Sequence, residues 1–300
     1  MQKKGIFLLA SMTTFNCFGM DYLGAMYNPA KGVFFGKTQF LMSNSAYDLK
    51  NDSTNASTKY ETKTQKLEQA LEFGVNKSLV ALFNLGYTLS SETEFDTSKE
   101  KSSGIDNVSL GARYRLSNAI KMPMVLDVSA VFTPSYKNKK DANVNDDGTT
   151  NSGGHDLSLS ARTSFNKFYL RGHFDYHFEQ KVDDATSGDA HSTVKSSMDM
   201  GLKLGAQLYP LTKLLIDTSV AVDRVGEAKT EYEAGGDLTA KARLDFKLQV
   251  EAYYEIMSQL SANLGFQYIS PQNQTLEGTT DYIVENNSET GIIAGLAYKF

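Results

Sequence analysis

The sequence has few of the residues that form disulfide frameworks or linkers between domains. It has one cysteine, Cys17, no tryptophan, and five prolines that do not gather into a linker. A single thiol excludes a disulfide framework, and the lack of a Pro-rich or Gly/Ser-rich run indicates one domain. The net charge is −5, and the lysines and arginines are scattered along the chain. Nucleic-acid binding is not expected, because it needs a concentrated basic surface.

Long hydrophobic runs are also missing after residue 20. No stretch there offers roughly 18 consecutive apolar residues, so no transmembrane helix is predicted. The amino terminus has two lysines, a short apolar stretch and then the small residues Cys17 and Gly19. This layout predicts a secretory signal peptide over 1–19, cleaved after Gly19, and a short segment over 20–31 that precedes the folded part. The alternative is a buried amphipathic helix at the amino terminus.

What the sequence does have is a strict alternation of apolar and polar residues. In the segment DLTAKARLDFKLQVEAYYEI, apolar residues occupy every second position from Leu238 to Tyr254, and polar or charged residues fill the positions from Asp237 to Glu251. A period of two indicates a β-strand, since a helix would mix both kinds of residue on one face. The strand exceeds the usual five or six residues and suits the roughly nine to eleven of a tilted membrane-spanning strand.

The same alternation recurs along the chain and predicts an all-β fold. Strands are expected at about 32–43, 65–76, 79–91, 104–116, 125–136, 154–166, 168–178, 197–210, 213–225, 237–256, 259–270 and 289–300. Short connections and long polar connections follow one another in turn, which predicts antiparallel hairpins with all tight turns at one end. We therefore predict a transmembrane up-and-down β-barrel of about twelve strands. A soluble β-sandwich or lipocalin-like barrel is the alternative, but it would leave the charged inner faces unexplained.

Outward-facing aromatic residues give an independent indication. They fall near both ends of the predicted strands, as in the two aromatic girdles of membrane barrels. From Phe168 to Phe178 a strand tilted by about 40° would rise roughly 25 Å, which matches the apolar band of an outer membrane.

The last strand carries a pattern that resembles a known signal. Alternate positions at its end are Ile292, Ala294, Leu296, Tyr298 and Phe300. This resembles the C-terminal β-signal of Gram-negative outer-membrane barrel proteins. The resemblance implies a barrel over residues 32–300 in the bacterial outer membrane, with outer-membrane lipid and the barrel-assembly machinery as partners. It also implies short periplasmic turns, long extracellular loops and a periplasmic location for the segment 20–31.

The alternation turns many charged residues towards the lumen. The candidates for pore lining are Arg113, Arg115, Arg162, Arg171, Asp199, Asp217, Asp223, Lys241 and Arg243. The arginines on the fourth, sixth and seventh strands would face aspartates on the eighth and ninth, which predicts a transverse field in a passive, porin-like channel for small hydrophilic or charged solutes. Alternatively, the charges pair across neighbouring strands and fill the lumen, and the barrel is a non-conducting structural or adhesin-like protein that acts through its long loops.

No motif points to catalysis or to a cofactor. His173 and His177 share a strand face, but their positions are about 13 Å apart along an extended strand, too far for one metal ion. The Gly-x-Ser-x-Gly motif of hydrolases and the spacing of an EF-hand calcium loop are both missing. We expect no enzymatic activity, no metal site and no cofactor.

Overall fold

The computed structural model describes residues 27–95, 98–116, 125–134, 155–165, 167–183, 191–211, 213–232, 236–257 and 259–300. The signal peptide expected over 1–19 lies outside these residues. The strands are β1 (Phe34–Asn51), β2 (Ser57–Gly74), β3 (Leu79–Phe95), β4 (Ser98–Arg115), β5 (Val125–Thr133), β6 (Asp156–Phe165), β7 (Phe168–His177), β8 (Gln180–Asp183), β9 (His191–Val194), β10 (Ser197–Leu211), β11 (Leu214–Val225), β12 (Ala228–Tyr232), β13 (Asp237–Ala240), β14 (Arg243–Met257), β15 (Leu260–Pro271), β16 (Gln274–Glu277) and β17 (Tyr282–Lys299). Among the described residues, no helix is long and apolar enough to cross a membrane.

Twelve of these strands form a closed antiparallel barrel, as the sequence predicts. Strands β1–β7, β10, β11, β14, β15 and β17 each pair with the next, and β17 pairs with β1. The closing seam runs from the Phe35 and Lys299 pair to the Asn51 and Tyr282 pair. At its end, Phe34 N donates to Phe300 O over 3.1 Å and Phe300 N donates to Phe34 O over 2.9 Å. The wall therefore has no open edge along its spanning part.

The two faces of the wall are inverted relative to a soluble protein. Outward-facing apolar side chains are exposed, for example Leu264 at 63% and Leu202 at 55%. Inward-facing charged side chains are buried, and Glu72 and Asp127 are each only 1% exposed. Such a surface needs an apolar surrounding, so the soluble alternatives do not describe this fold.

The strands run further than the sequence alternation indicates. Strand β1 continues to Asn51 and β2 begins at Ser57, so most of the connection expected over 44–64 is paired strand. The short strands β8, β9, β12, β13 and β16 extend the sheet at the same end of the barrel. The outer face of these extensions is largely polar, so the alternation that marks a spanning strand fades while backbone pairing continues. We call this end the tall end, and the opposite end the short-turn end.

An apolar cluster lies inside the tall end. Its buried members are Leu49, Tyr60, Leu238, Ala240, Leu276 and Val284. The rings of Tyr47 and Tyr60 stack with centroids 4.9 Å apart, and Tyr60 and Phe95 stack at 5.3 Å. These residues come from both halves of the extended sheet, so the cluster packs the halves against each other. We call it the cap cluster.

Candidate functional site in the barrel interior

Arginines concentrate near the short-turn end, where each stands within three residues of one end of a strand. Arg113 on β4 donates from Nη1 to Oε1 of Glu72 on β2 over 2.9 Å and from Nη2 to Oε2 of the same carboxylate. Both side chains are nearly fully buried, at 4% and 1% exposure. The pairing is bidentate and charge-assisted, so it fixes the orientation of both groups.

Asp127 on β5 joins two further arginines. Its carboxylate accepts from Arg115 Nε at 2.8 Å and Nη2 at 3.0 Å, and from Arg162 Nε at 3.2 Å and Nη2 at 3.1 Å. The side chain of Asp127 is fully buried. One carboxylate therefore neutralises two guanidinium groups from the strands on either side, and this part of the interior keeps a positive excess.

The segment before β1 enters the short-turn end of the interior. The backbone oxygen of Tyr27 accepts from Arg113 Nη2 at 3.2 Å and from Arg162 Nη2 at 2.9 Å, and Asn28 Oδ1 accepts from Arg113 Nε at 3.4 Å. The Tyr27 side chain packs against an apolar cluster on the other walls, formed by Phe35, Leu215, Tyr253 and Ala297. Tyr27 thus bridges β4 and β6 on one side to β1, β11, β14 and β17 on the other. We call residues 27–30 the N-terminal strap.

The wall opposite the arginines centres on Glu251 of β14, which is 6% exposed. Its Oε2 lies 3.3 Å from Lys37 Nζ and accepts from Asn263 Nδ2 at 3.2 Å. Lys37 Nζ also donates to Tyr253 Oη at 2.9 Å. Lys37 stands on β1, and two strands separate it from β14 in the sheet. Long side chains therefore reach across a curved wall and narrow the interior.

Histidines and aspartates occupy the interior nearer the tall end. His173 Nε2 lies 3.6 Å from Asp175 Oδ2 and 3.7 Å from Asp223 Oδ1. His177 lies between Asp156, at 2.7 Å from Nδ1, and Asp199, at 3.3 Å from Nε2. Each histidine thus lies beside its own pair of aspartates, and the two pairs share no member. Among the described residues, no three His, Cys, Asp or Glu side chains meet in an arrangement that could hold a metal ion.

The structure separates the pore-lining candidates along the barrel axis. Arg113, Arg115, Arg162 and Arg171 lie within three residues of the short-turn ends of their strands, whereas Asp199 and Asp223 lie within two residues of the tall ends of β10 and β11. Asp217 is nearer the short-turn end and accepts from Tyr169 Oη and Gln207 Nε2, both at 2.8 Å. The arrangement differs from a purely transverse field, because neighbouring strands are staggered in a tilted barrel.

The two candidates on or before β14 lie at the tall end. Arg243 is buried and donates from Nε to Asp245 Oδ1 and from Nη1 to Gln274 Oε1, both at 2.9 Å. Lys241 lies between β13 and β14, with 38% of its side chain exposed, beside Glu227 at 3.3 Å and Glu277 at 2.9 Å. These two cations therefore do not join the arginines of the short-turn end.

Beyond the barrel wall, the strand extensions are held by exposed ion pairs. Lys195 Nζ lies 3.0 Å and Lys229 Nζ 3.1 Å from the carboxylate of Glu231 on β12. Hydrogen bonds from Lys195 and then Lys229 hold the pKa of Glu231 below its ordinary value. Because these groups are exposed, the pairs contribute to strand alignment more than to stability.

The residues of the resembled assembly signal lie along β17, except Phe300, which follows its last residue. Ile292, Leu296 and Phe300 are exposed on the outer face, at 56%, 46% and 76%, and Ala294 and Tyr298 share that alternate register. The Tyr298 hydroxyl accepts from Gln69 Nε2 at 2.8 Å. The Phe300 side chain faces outward, while its own backbone N and O form the two hydrogen bonds to Phe34 that end the closing seam.

The alternation in the sequence did not predict the N-terminal strap or the inward-facing apolar cluster that the Tyr27 ring contacts. Phe35, Leu215 and Tyr253 face inward, where alternation predicts polar residues. A signal was present, since each is part of an apolar doublet in the sequence: Phe34 and Phe35, Leu214 and Leu215, Tyr253 and Tyr254. Three doublets near the short-turn end of their strands mark a place where both faces of the wall are apolar.

Comparisons with known proteins identify the fold. No protein-family model matches the chain, and no curated protein matches it by sequence. Among solved structures, an outer membrane channel from Pseudomonas putida F1 is similar with a TM-score of 0.61 at 13% identity, covering 91% of this chain and 97% of that one. The translocator domain of the autotransporter NalP from Neisseria meningitidis gives 0.50 at 12% identity, covering 91% and 90%. At such identities the likeness shows the fold, and it confirms the outer-membrane β-barrel architecture predicted from the sequence.

Proposed function

We propose that this chain is a passive channel in a bacterial outer membrane for small hydrophilic or charged solutes. The observation that carries the proposal is the polar lining of a closed barrel whose outer face is apolar. In this orientation the short turns face the periplasm and the tall end faces the exterior. A channel interior of this kind sorts solutes by width and by fixed charge.

The interior geometry favours small solutes. Side chains from strands that are not neighbours meet inside the barrel, as Lys37 and Glu251 do, and they leave less room than the backbone circumference would. Charges of both signs line the path, with four arginines near the short-turn end and Asp175, Asp199 and Asp223 nearer the tall end. Such a lining favours polar over apolar solutes and gives the two signs different preferred positions.

The fold comparisons agree with the proposal. One of the two proteins compared above is described as an outer membrane channel, and it matches this chain over nearly its whole length. The other is described as a translocator domain. Both descriptions concern barrels through which something passes, which agrees with the proposal.

A second function, a non-conducting surface barrel, is favoured by the tall end. The cap cluster packs the strand extensions together, and its buried members include Tyr60 and Leu276 at 7% and 3% exposure. A packed extension beyond the apolar band would offer a rigid surface for contact with other molecules. In this case the interior charges would serve only to stabilise the wall.

Current measurements on the refolded barrel in a planar lipid bilayer separate the two functions. For a channel we expect discrete current steps, infrequent in the wild type because side chains and the strap occupy much of the interior. Heat-denatured protein at the same load is the control. If neither the wild type nor the strap variants below produced steps at high protein load, the surface function would be favoured instead.

The strap should limit the current. Replacing Tyr27 with glycine removes the ring that seats against Phe35 at 5.2 Å between ring centroids, while the rest of the strap remains. We expect the mean current per barrel to rise several-fold, because the ring no longer bridges the two sides of the interior. The matched control is Lys31→Gly, at the position directly after the strap, since Lys31 is exposed. Equal currents for Tyr27→Gly and Lys31→Gly would contradict this role of Tyr27.

A substitution in the wall should displace the strap without changing any residue of the strap itself. At Gly74, at the end of β2, a Cβ atom would overlap the backbone oxygens of Ala30 and Pro29. Gly74→Ala should therefore raise the current as Tyr27→Gly does. Gly172→Ala is the control, because its Cβ would meet nothing nearer than 3.9 Å.

A further inference from the structure

Arg171 stands out among the charged groups of the interior. It is only 9% exposed. Arg113, Arg115 and Arg162 each pair with a carboxylate, whereas Arg171 has neither a hydrogen bond nor an ion pair among the described residues. A buried charge without a partner is costly, so its retention calls for a compensating group.

The neighbours of Arg171 make its position less favourable still. In the sheet register, Arg171 on β7 lies directly opposite Arg162 on β6 and directly opposite Lys203 on β10. Directly opposed residues have their Cβ atoms about 4.5–5.5 Å apart, and like charges in such positions repel each other. Three cationic side chains thus stand in one row across three adjacent strands.

Among the described residues, no carboxylate around this row pairs with Arg171. Asp127 is shared between Arg115 and Arg162. Asp217 accepts from Tyr169 and Gln207, and Asp175 lies beside His173 at 3.6 Å. Lys203 Nζ donates to the neutral amide oxygen of Gln249 at 3.3 Å. Arg171 therefore keeps a buried charge that no carboxylate among the described residues pairs with.

We propose that Arg162, Arg171 and Lys203 form a binding site for a small oxyanion, with Arg171 as its principal ligand. A guanidinium group offers a planar fork of donors that matches two oxygens of a phosphate, sulfate or carboxylate group. Lys203 adds a compact charge from the next strand, and Arg162 adds charge while its own donors hold Asp127 and the strap. This inference places the site on the solute path, so it rests on the channel function proposed above.

Inorganic phosphate is the probe, and titration calorimetry and thermal unfolding of the refolded barrel in detergent at low salt are the measurements. We expect saturable binding and a rise in the unfolding temperature with phosphate. Arg171→Met should abolish both effects, and Lys203→Met should weaken them several-fold. Without phosphate, Arg171→Met should unfold at a higher temperature than the wild type, because it relieves the repulsion in the row. Lys229→Met, in the exposed extension, is the control and should bind as the wild type does.

Binding and conduction are separate outcomes. Saturable binding that Arg171→Met removes supports the site even if the barrel carries no current, in which case only the channel fails. Current steps without saturable phosphate binding, or equal binding by wild type and Arg171→Met, would overturn the site and leave the channel standing. If the barrel conducts and also binds phosphate, the reversal potential of Arg171→Met in a salt gradient should indicate a greater preference for cations than that of the wild type.

Discussion

Replacing Asp127 with asparagine should lower the free energy of unfolding by about 3–5 kcal/mol, the usual cost of removing one partner from a buried ion pair. The change preserves size and shape, so it tests charge alone. It leaves Arg115, with 19% of its side chain exposed, and Arg162, with 8%, without the carboxylate that joins them. The two guanidinium groups would then repel each other across β5 in a region that water reaches poorly.

Urea unfolding of the barrel in lipid vesicles, followed by circular dichroism, measures this cost. Asp237→Asn is the matched control, because Asp237 pairs with Lys229 at 2.7 Å but has half of its side chain exposed. We expect little change for the control. The double variant Asp127→Asn with Arg115→Met should recover part of the loss, since it removes one of the two stranded charges. A loss for Asp127→Asn no larger than that for Asp237→Asn would mean that water or ions already screen the arginines.

Introducing an arginine at Phe266 should cost about 2–4 kcal/mol, the penalty for a cation on the lipid face near the middle of a membrane. Phe266 on β15 is 45% exposed on the outer face, among apolar neighbours. The next residue, Gln267, is 6% exposed and points inward, where its Nε2 donates to Glu289 at 3.3 Å. Gln267→Arg therefore places the same new side chain beside a carboxylate.

The adjacent pair makes a sharp test of which face meets lipid. We expect Phe266→Arg to fold poorly into vesicles, as seen by its loss of the heat-modifiable band in cold SDS gels, and Gln267→Arg to fold nearly as the wild type does. Phe266→Leu controls for loss of the aromatic ring. Equal defects in both arginine variants would contradict the assigned facing, and so would a defect confined to Gln267→Arg.

The spanning strands could be predicted because lipid imposes a pattern on them. On β14, the lipid face requires apolar residues at every second position, and the sequence from Leu244 to Tyr254 shows them. The upper part of β2, which begins at Ser57, meets water on its outer face and carries no such pattern. Its backbone still pairs with β1, but backbone pairing requires no particular side chains and so produces no residue pattern in a single sequence.

The inward direction of the charged residues could also be predicted, but their partners could not. Alternation alone assigns Lys37 and Glu251 to the lumen, although the two are 214 positions apart in the chain. Their meeting depends on the stagger between strands, which the sequence does not state. The strap escaped prediction for another reason, since Tyr27 precedes the first strand and belongs to no repeating pattern.

The seam between β1 and β17 also has a kinetic consequence. Apart from this seam, the backbone pairings of the twelve wall strands join strands that follow each other in wall order along the chain. Hairpins can therefore form early and locally. The seam alone joins Phe34 to Phe300, and closing a loop of that length costs about 5 kcal/mol in chain entropy. Its backbone bonds offset this cost only once both strands are in register. We therefore expect closure to be the slow, late step of folding and the open sheet that precedes it to be the species exposed to aggregation.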